Sequence, residues 1–160
     1  MSAAPGLSPD HGRQWLRLRQ LRVQRARQAL AEAQAREREA QAAVADREAR
    51  IAQARARLAD LANHWGGPGS VDMPRWGEQM KAHRESLAER LERDEYALMD
   101  EQEDLQRAAG VVRERRAELN RAQARETAVD ATLKDQRRAL LLARDQQAEL
   151  DTEDAFRPRH

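Results

Sequence analysis

Residues 91–119 read LERDEYALMDEQEDLQRAAGVVRERRAEL, and in this stretch Leu91, Leu98, Leu105, Val112 and Leu119 stand at every seventh position. The column runs on through Leu133 and Leu140, broken at Glu126. A seven-residue step returns to nearly the same line of a helix after two turns. The stretch therefore predicts a narrow helical seam and not the broad apolar face of a globular domain. Working outward, the same helical pattern extends from about Arg75 to about Glu153, one long second helix.

A matching pattern precedes it. Leu16, Val23, Leu30, Val44, Ile51, Leu58 and Trp65 form a seven-step column interrupted at Glu37, and a companion column is mostly small: Ala26, Ala33, Ala40, Ala54 and Leu61. One large and one small side chain per heptad lets two helices approach closely. Ser8-Pro9-Asp10 reads as a helix start, because serine can cap an orphan N–H and proline in the first turn forfeits no bond. Asn63-His64-Trp65-Gly66-Gly67-Pro68-Gly69 reads as a stop, and Ser70, Asp72 and Pro74 as a restart.

A break this short cannot carry the chain back along so long a helix, so the two helices are predicted to run antiparallel. The expected fold is all-α, a long two-helix coiled-coil hairpin. Residues 1–8 and 155–160 are expected to be tails, with helix 1 over about 9–64, a loop over about 65–73 and helix 2 over about 74–154. Pairing from the loop outward sets Ile51 near Leu91, Val44 near Leu98, Leu30 near Val112 and Leu16 near Glu126. The paired part would extend roughly 75–80 Å at about 1.5 Å per residue. The second helix is the longer, and from Asp130 onward, including Leu133, Leu140, Leu141, Leu142 and Leu150, it is expected to lack a partner. Gly110 is a weak point where that helix could bend.

Composition agrees with a coiled coil. Charged residues make up 36% of the chain and aromatics 3%, with a mean hydropathy of -0.97, too few large apolar side chains for a thick core. A net charge of +1 and the regular column argue against disorder. Cysteine is absent, which excludes disulfides, a thiol nucleophile and thiolate metal sites. Neither a secretion signal nor a membrane-spanning run is predicted.

The chain holds neither a phosphate-binding glycine loop nor a zinc-binding H-E-x-x-H, and a solvated helix pair offers no water-excluding pocket to tune its carboxylates. We expect no catalytic residues, no cofactor and no metal. His64 and His83 could approach each other near the turn, but two ligands without a third make a poor metal site.

Charge is more informative. Arg13, Arg17, Arg19, Arg22, Arg25 and Arg27 occur with no acid among them, and antiparallel pairing sets them beside Arg113, Arg115, Arg116, Arg121 and Arg125. Like charges massed together favour a negative partner. Glu78 to Asp104 holds ten carboxylates. Nucleic acid, an anionic membrane and an acidic protein surface could each meet the arginines. The segment lacks the interleaved aromatics of a nucleic-acid groove, and its apolar stripe is used in the seam, so an acidic protein is favoured. Near the turn Trp76, Met80, His83 and Leu87 fall on one helix face, either packed on Trp65, Leu61 and Leu58 or available for contact.

These features together resemble a known family. The Leu16-to-Arg25 stretch contains L-R-x-L-R-x-x-R; after the Gly/Pro turn come Arg75-Trp76, the run L-x-x-x-x-x-x-L-M-D-E-x-E-D-L over 91–105, Arg137-Arg138, and an acidic end at 149–154. The layout resembles the YscO/FliJ group, the coiled-coil stalk proteins of bacterial type III secretion and flagellar export. The resemblance implies a cytoplasmic, non-enzymatic stalk peripheral to the inner-membrane apparatus. It also implies that the end bearing both termini enters the hexameric secretion ATPase while the turn faces the export gate, with export chaperones as further partners. Carried onto this chain, Arg13, Arg17, Arg19, Arg22, Arg25, Arg113, Arg116, Arg121, Arg125, Leu133 and Leu140 would meet the ATPase, and Trp76, Met80, His83 and Leu87 the gate. An intramolecular hairpin would be a monomer. The alternatives are a basic coiled coil that binds nucleic acid and a scaffold whose seam pairs between chains.

Overall fold

The computed structural model describes residues 8–65 and 76–157. Residues 1–7 and 158–160 of the tails predicted at 1–8 and 155–160, and residues 66–73 of the loop predicted at about 65–73, lie outside the described residues; Trp65, Ala155 and Phe156, expected outside the helices, are helical. Two helices make up the described chain, α1 at Pro9–Trp65 and α2 at Gly77–Phe156, packed against each other as an all-α hairpin.

Each helix starts with its own cap. Ser8 accepts the Gly12 N–H at its carbonyl (3.0 Å) and the His11 N–H at its hydroxyl (3.4 Å), while Pro9 takes the first helical position. Asp10 in the first turn suits the positive end of the helix dipole and binds Arg13 at 3.1 Å. The Trp76 carbonyl accepts the Met80 N–H at 3.0 Å and opens α2. The helix then runs unbroken through Gly110.

The chain forms two compact units, each holding part of both helices: residues 31–114, and residues 1–30 with 115–160. In the 31–114 unit the core is Ala33, Ile51, Leu87 and Val112, all buried. Arg55 reaches Glu95 and Arg47 reaches Glu101, so rising numbers in α1 meet falling numbers in α2 and the pairing is antiparallel. In the other unit Val23 and Val129 are buried. No described side chain is completely sealed from solvent, as a two-helix seam dictates.

One expectation is corrected. Leu133 does not lie in an unpaired overhang: it packs on Gly12, which is buried, and Asp130 and Gln136 beside it are half-buried. Exposure becomes continuous only from Arg137 to Arg157. The register expected from Leu16 against Glu126 sets Leu133 one heptad on, level with Pro9; Leu133 lines one groove with Pro9 and also packs on Gly12. The large column of α2 thus meets the small column of α1 here, because large on small fills a narrow seam better than large on large. Leu16 and Glu126 still line one recess together.

Candidate interaction surfaces

The arginines of α1 begin at the capped N-terminus. Arg13 is engaged locally, donating to the Pro9 carbonyl at 3.4 Å and to Asp10. Arg17, Arg22 and Arg25 are exposed. Arg19 differs, because it occupies the small seam column seven residues before Ala26. It is half-buried, its guanidinium carbon lies 5.9 Å from the Trp15 ring centre, and its Nε is buried without a hydrogen-bond partner. A buried donor left unmade costs about 1–3 kcal/mol, so Arg19 is held in a position that a hydrogen-bond acceptor would relieve.

Opposite it, α2 contributes Arg121 and Arg125. Together with Arg19 and Arg22 they line a recess of about 170 Å³ whose other walls are Glu118 and Ala122. Four cations converge there on one carboxylate, and Glu118 is itself taken at 3.0 Å by Arg115. The recess therefore carries an uncompensated positive field, suited to carboxylates presented from outside. Arg116 is exposed in the same unit, whereas Arg113 belongs to the 31–114 unit. Leu133 is half-buried and Leu140 is 56% exposed; both line a larger apolar groove of about 750 Å³ with Pro9 and Leu141, edged by Arg13, Arg137 and Arg144.

The four-residue stripe near the turn does not stay together. Leu87 is buried because it continues the seam column that includes Asp94 and Glu101, and this corrects its assignment to a contact face. Met80, in the same column, is half-buried. Trp76, at 58%, and His83 remain exposed.

Two features escaped the sequence reading. Trp15, Leu18 and Leu21 are exposed among the arginines, 55% in the case of Leu18, so the basic face of α1 is also apolar. The signal was available, since none of the three falls in either seam column. The second is an ion triad inside the 31–114 seam. Arg47 donates to Glu101 at 2.8 Å and to Asp94 at 2.9 Å, with all three side chains about three-quarters buried. The hydrogen bonds that Arg47 donates to Glu101, then to Asp94, raise its pKa above the ordinary value against the opposing effect of burial. Its signature is an arginine seven residues after Ala40 and two acids seven apart between Leu87 and Ala108. Glu37 and Glu126, the two breaks noted in the leucine columns, are half-buried, and among the described residues neither forms an ion pair.

No described helix is long and apolar enough to cross a membrane. Comparison with known proteins finds no matching family model, curated protein or solved structure.

Proposed function

We propose that the chain is a non-enzymatic stalk protein of a bacterial type III secretion apparatus, cytoplasmic and peripheral to the inner membrane, binding the hexameric secretion ATPase and the export gate. Export chaperones are further partners in this reading. The observation that carries it is the recess of Arg19, Arg22, Arg121 and Arg125, in which two paired helices hold four cations around one carboxylate. A surface whose own chain supplies too few acids favours an acidic protein over an isolated solvated face. The exposed Trp15, Leu18 and Leu21 beside it add the apolar contact that an arginine-rich interface uses as anchors. The family-like layout of the sequence names the partner: Arg13, Arg17 and Arg25 would join the recess against the ATPase, and Trp76 with His83 would face the gate.

The test is direct. Purified chain should bind a hexameric secretion ATPase and raise its hydrolysis rate. Charge reversal at Arg17, Arg22 and Arg25 should abolish both effects and stop secretion. Secretion that continues unchanged with the triple reversal would sink the reading.

A further inference from the structure

Past Gln136 the seam columns of α2 continue without α1. Leu140 and Gln147 extend the column of Leu133, and Ala143 and Leu150 extend that of Val129. The helix persists to Phe156, yet every side chain from Arg137 to Arg157 is exposed, Leu140 at 56% and Leu150 at 55%. A heptad stripe that goes on past its intramolecular partner is an unfilled half of a coiled coil.

The charges of this segment divide into halves. Arg137, Arg138 and Arg144 stand in the first, and Glu149, Asp151, Glu153 and Asp154 in the second, with Asp145 between them and Arg157 just past the helix. Among the described residues none of these nine forms an ion pair. The last turn of α2 holds acids and no base, the wrong sign for the negative end of a helix dipole. The segment thus needs cations at its acidic end and anions at its basic end.

We propose that a second copy of this chain fills this face, its α2 tail lying antiparallel on the first about a two-fold axis level with Asp145. Antiparallel placement sets Leu140 opposite Leu150 of the second copy and Ala143 opposite its Gln147, so the seam continues in register. It also sets Arg137 and Arg138 beside Glu153 and Asp154 of the other copy, at both ends of the overlap. A parallel pair would stack arginine on arginine and acid on acid. Self-complementarity is what a two-fold contact requires, and here it is a property of the segment itself, which favours a copy over an unrelated helix. The length fits too. The second copy's α2 would run in the direction of α1 and end where α1 begins at Pro9, bringing its acidic C-terminal turn towards the positive end of that helix. The inference goes beyond the stalk reading and does not rest on it. It replaces the monomer expected of a closed hairpin with a tail-to-tail dimer.

The experiment needs only the purified full chain. Sedimentation across a concentration series should show a monomer–dimer equilibrium. The variants R137E/R138E and E153R/D154R should each weaken self-association by roughly tenfold or more, because each homodimer would then match like charges. Mixed in equal amounts, these two variants should form a heterodimer tighter than either homodimer, since both ends of the overlap then set acids of one tail against arginines of the other. All the altered side chains are exposed, so circular dichroism should be unchanged. The chain has no cysteine, so L140C and L150C chains can be mixed and oxidised, and the expected disulfide joins Cys-substituted 140 to 150. A wild-type monomer at every concentration overturns the proposal. So does a dimer indifferent to the charge changes, a mixture that stays monomeric, or preferential 140-to-140 cross-linking.

Discussion

Leu133 lies so close against Gly12 that a Cβ placed on Gly12 would collide with the Leu133 Cδ2 methyl. Gly12 has no unusual backbone conformation, so its role is space. Two effects oppose each other in Gly12→Ala: alanine gains about 1 kcal/mol of helix propensity, and the tip of a flexible leucine must turn aside. The expected result is a near-neutral change in melting temperature. Gly12→Leu cannot be absorbed in this way and should cost about 1–3 kcal/mol by overpacking. Hydrogen exchange should then show faster opening over residues 9–16 and 129–136, with no change near Arg47.

The Arg47 triad should matter more than any exposed ion pair. Arg47→Met leaves Asp94 and Glu101 half-buried on one seam with no cation between them, a worse state than losing both partners. Arg47→Lys should rescue only part of the loss, because an ammonium cannot fork to two carboxylates. Arg55 and Glu95 are 64% and 45% exposed, so Arg55→Met should change stability by about 0.5 kcal/mol or less. Thermal unfolding of the three variants at low and high salt checks the order. Equal losses from Arg47→Met and Arg55→Met would show that burial does not set the scale.

These two sites also show how far the sequence could be read. The leucine column and its small companion established two antiparallel helices, because heptad spacing is a property of the chain alone. The register was not legible to the same degree. Leucine on leucine and leucine on alanine both satisfy a seven-step column, and only side-chain volume at Gly12 and Leu133 decides between them. The role of Arg47 is not legible, because an arginine in Ala-rich helix reads as solvated until Asp94 and Glu101 are placed across the seam. The clustering of Arg19, Arg22, Arg121 and Arg125 was legible from charge runs and antiparallel pairing. That Arg19 turns its Nε inward was not.

The turn-proximal stripe gives a second contrast. Leu87 is 7% exposed and Trp76 is 58% exposed, although they fall on one helix face by spacing. Leu87→Ala should cost about 2–3 kcal/mol through the cavity it leaves. Trp76→Ala should change stability by no more than about 0.5 kcal/mol. Denaturant unfolding measures both. Under the stalk reading, Trp76→Ala should reduce secretion at unchanged protein level, a combination that a packing role for Trp76 would not produce.

Gly110 interrupts no hydrogen bond of α2, and an added Cβ there meets only the Arg113 Nη2 atom at 3.7 Å, an ordinary contact. Gly110→Ala should therefore raise stability by about 1 kcal/mol. Under the stalk reading, a fall in secretion with a rise in melting temperature would show that compliance of α2 at this point is used in function. An unchanged or lower melting temperature would mean that the glycine relieves a strain absent from this structure.

The arginine recess predicts stability and binding moving in opposite directions. Arg22 and Arg125 face other cations with little acid to offset them, so Arg22→Gln/Arg125→Gln removes repulsion and should leave the melting temperature unchanged or raise it. Under the stalk reading, the same double variant should weaken binding to a hexameric secretion ATPase by roughly tenfold or more, mostly through charge, so that added salt weakens wild-type binding more than that of the variant. Calorimetric unfolding and a binding titration at two salt concentrations measure both quantities. A recess that served only to join the helices would lose stability and binding together. A partner recognised elsewhere would leave the affinity untouched.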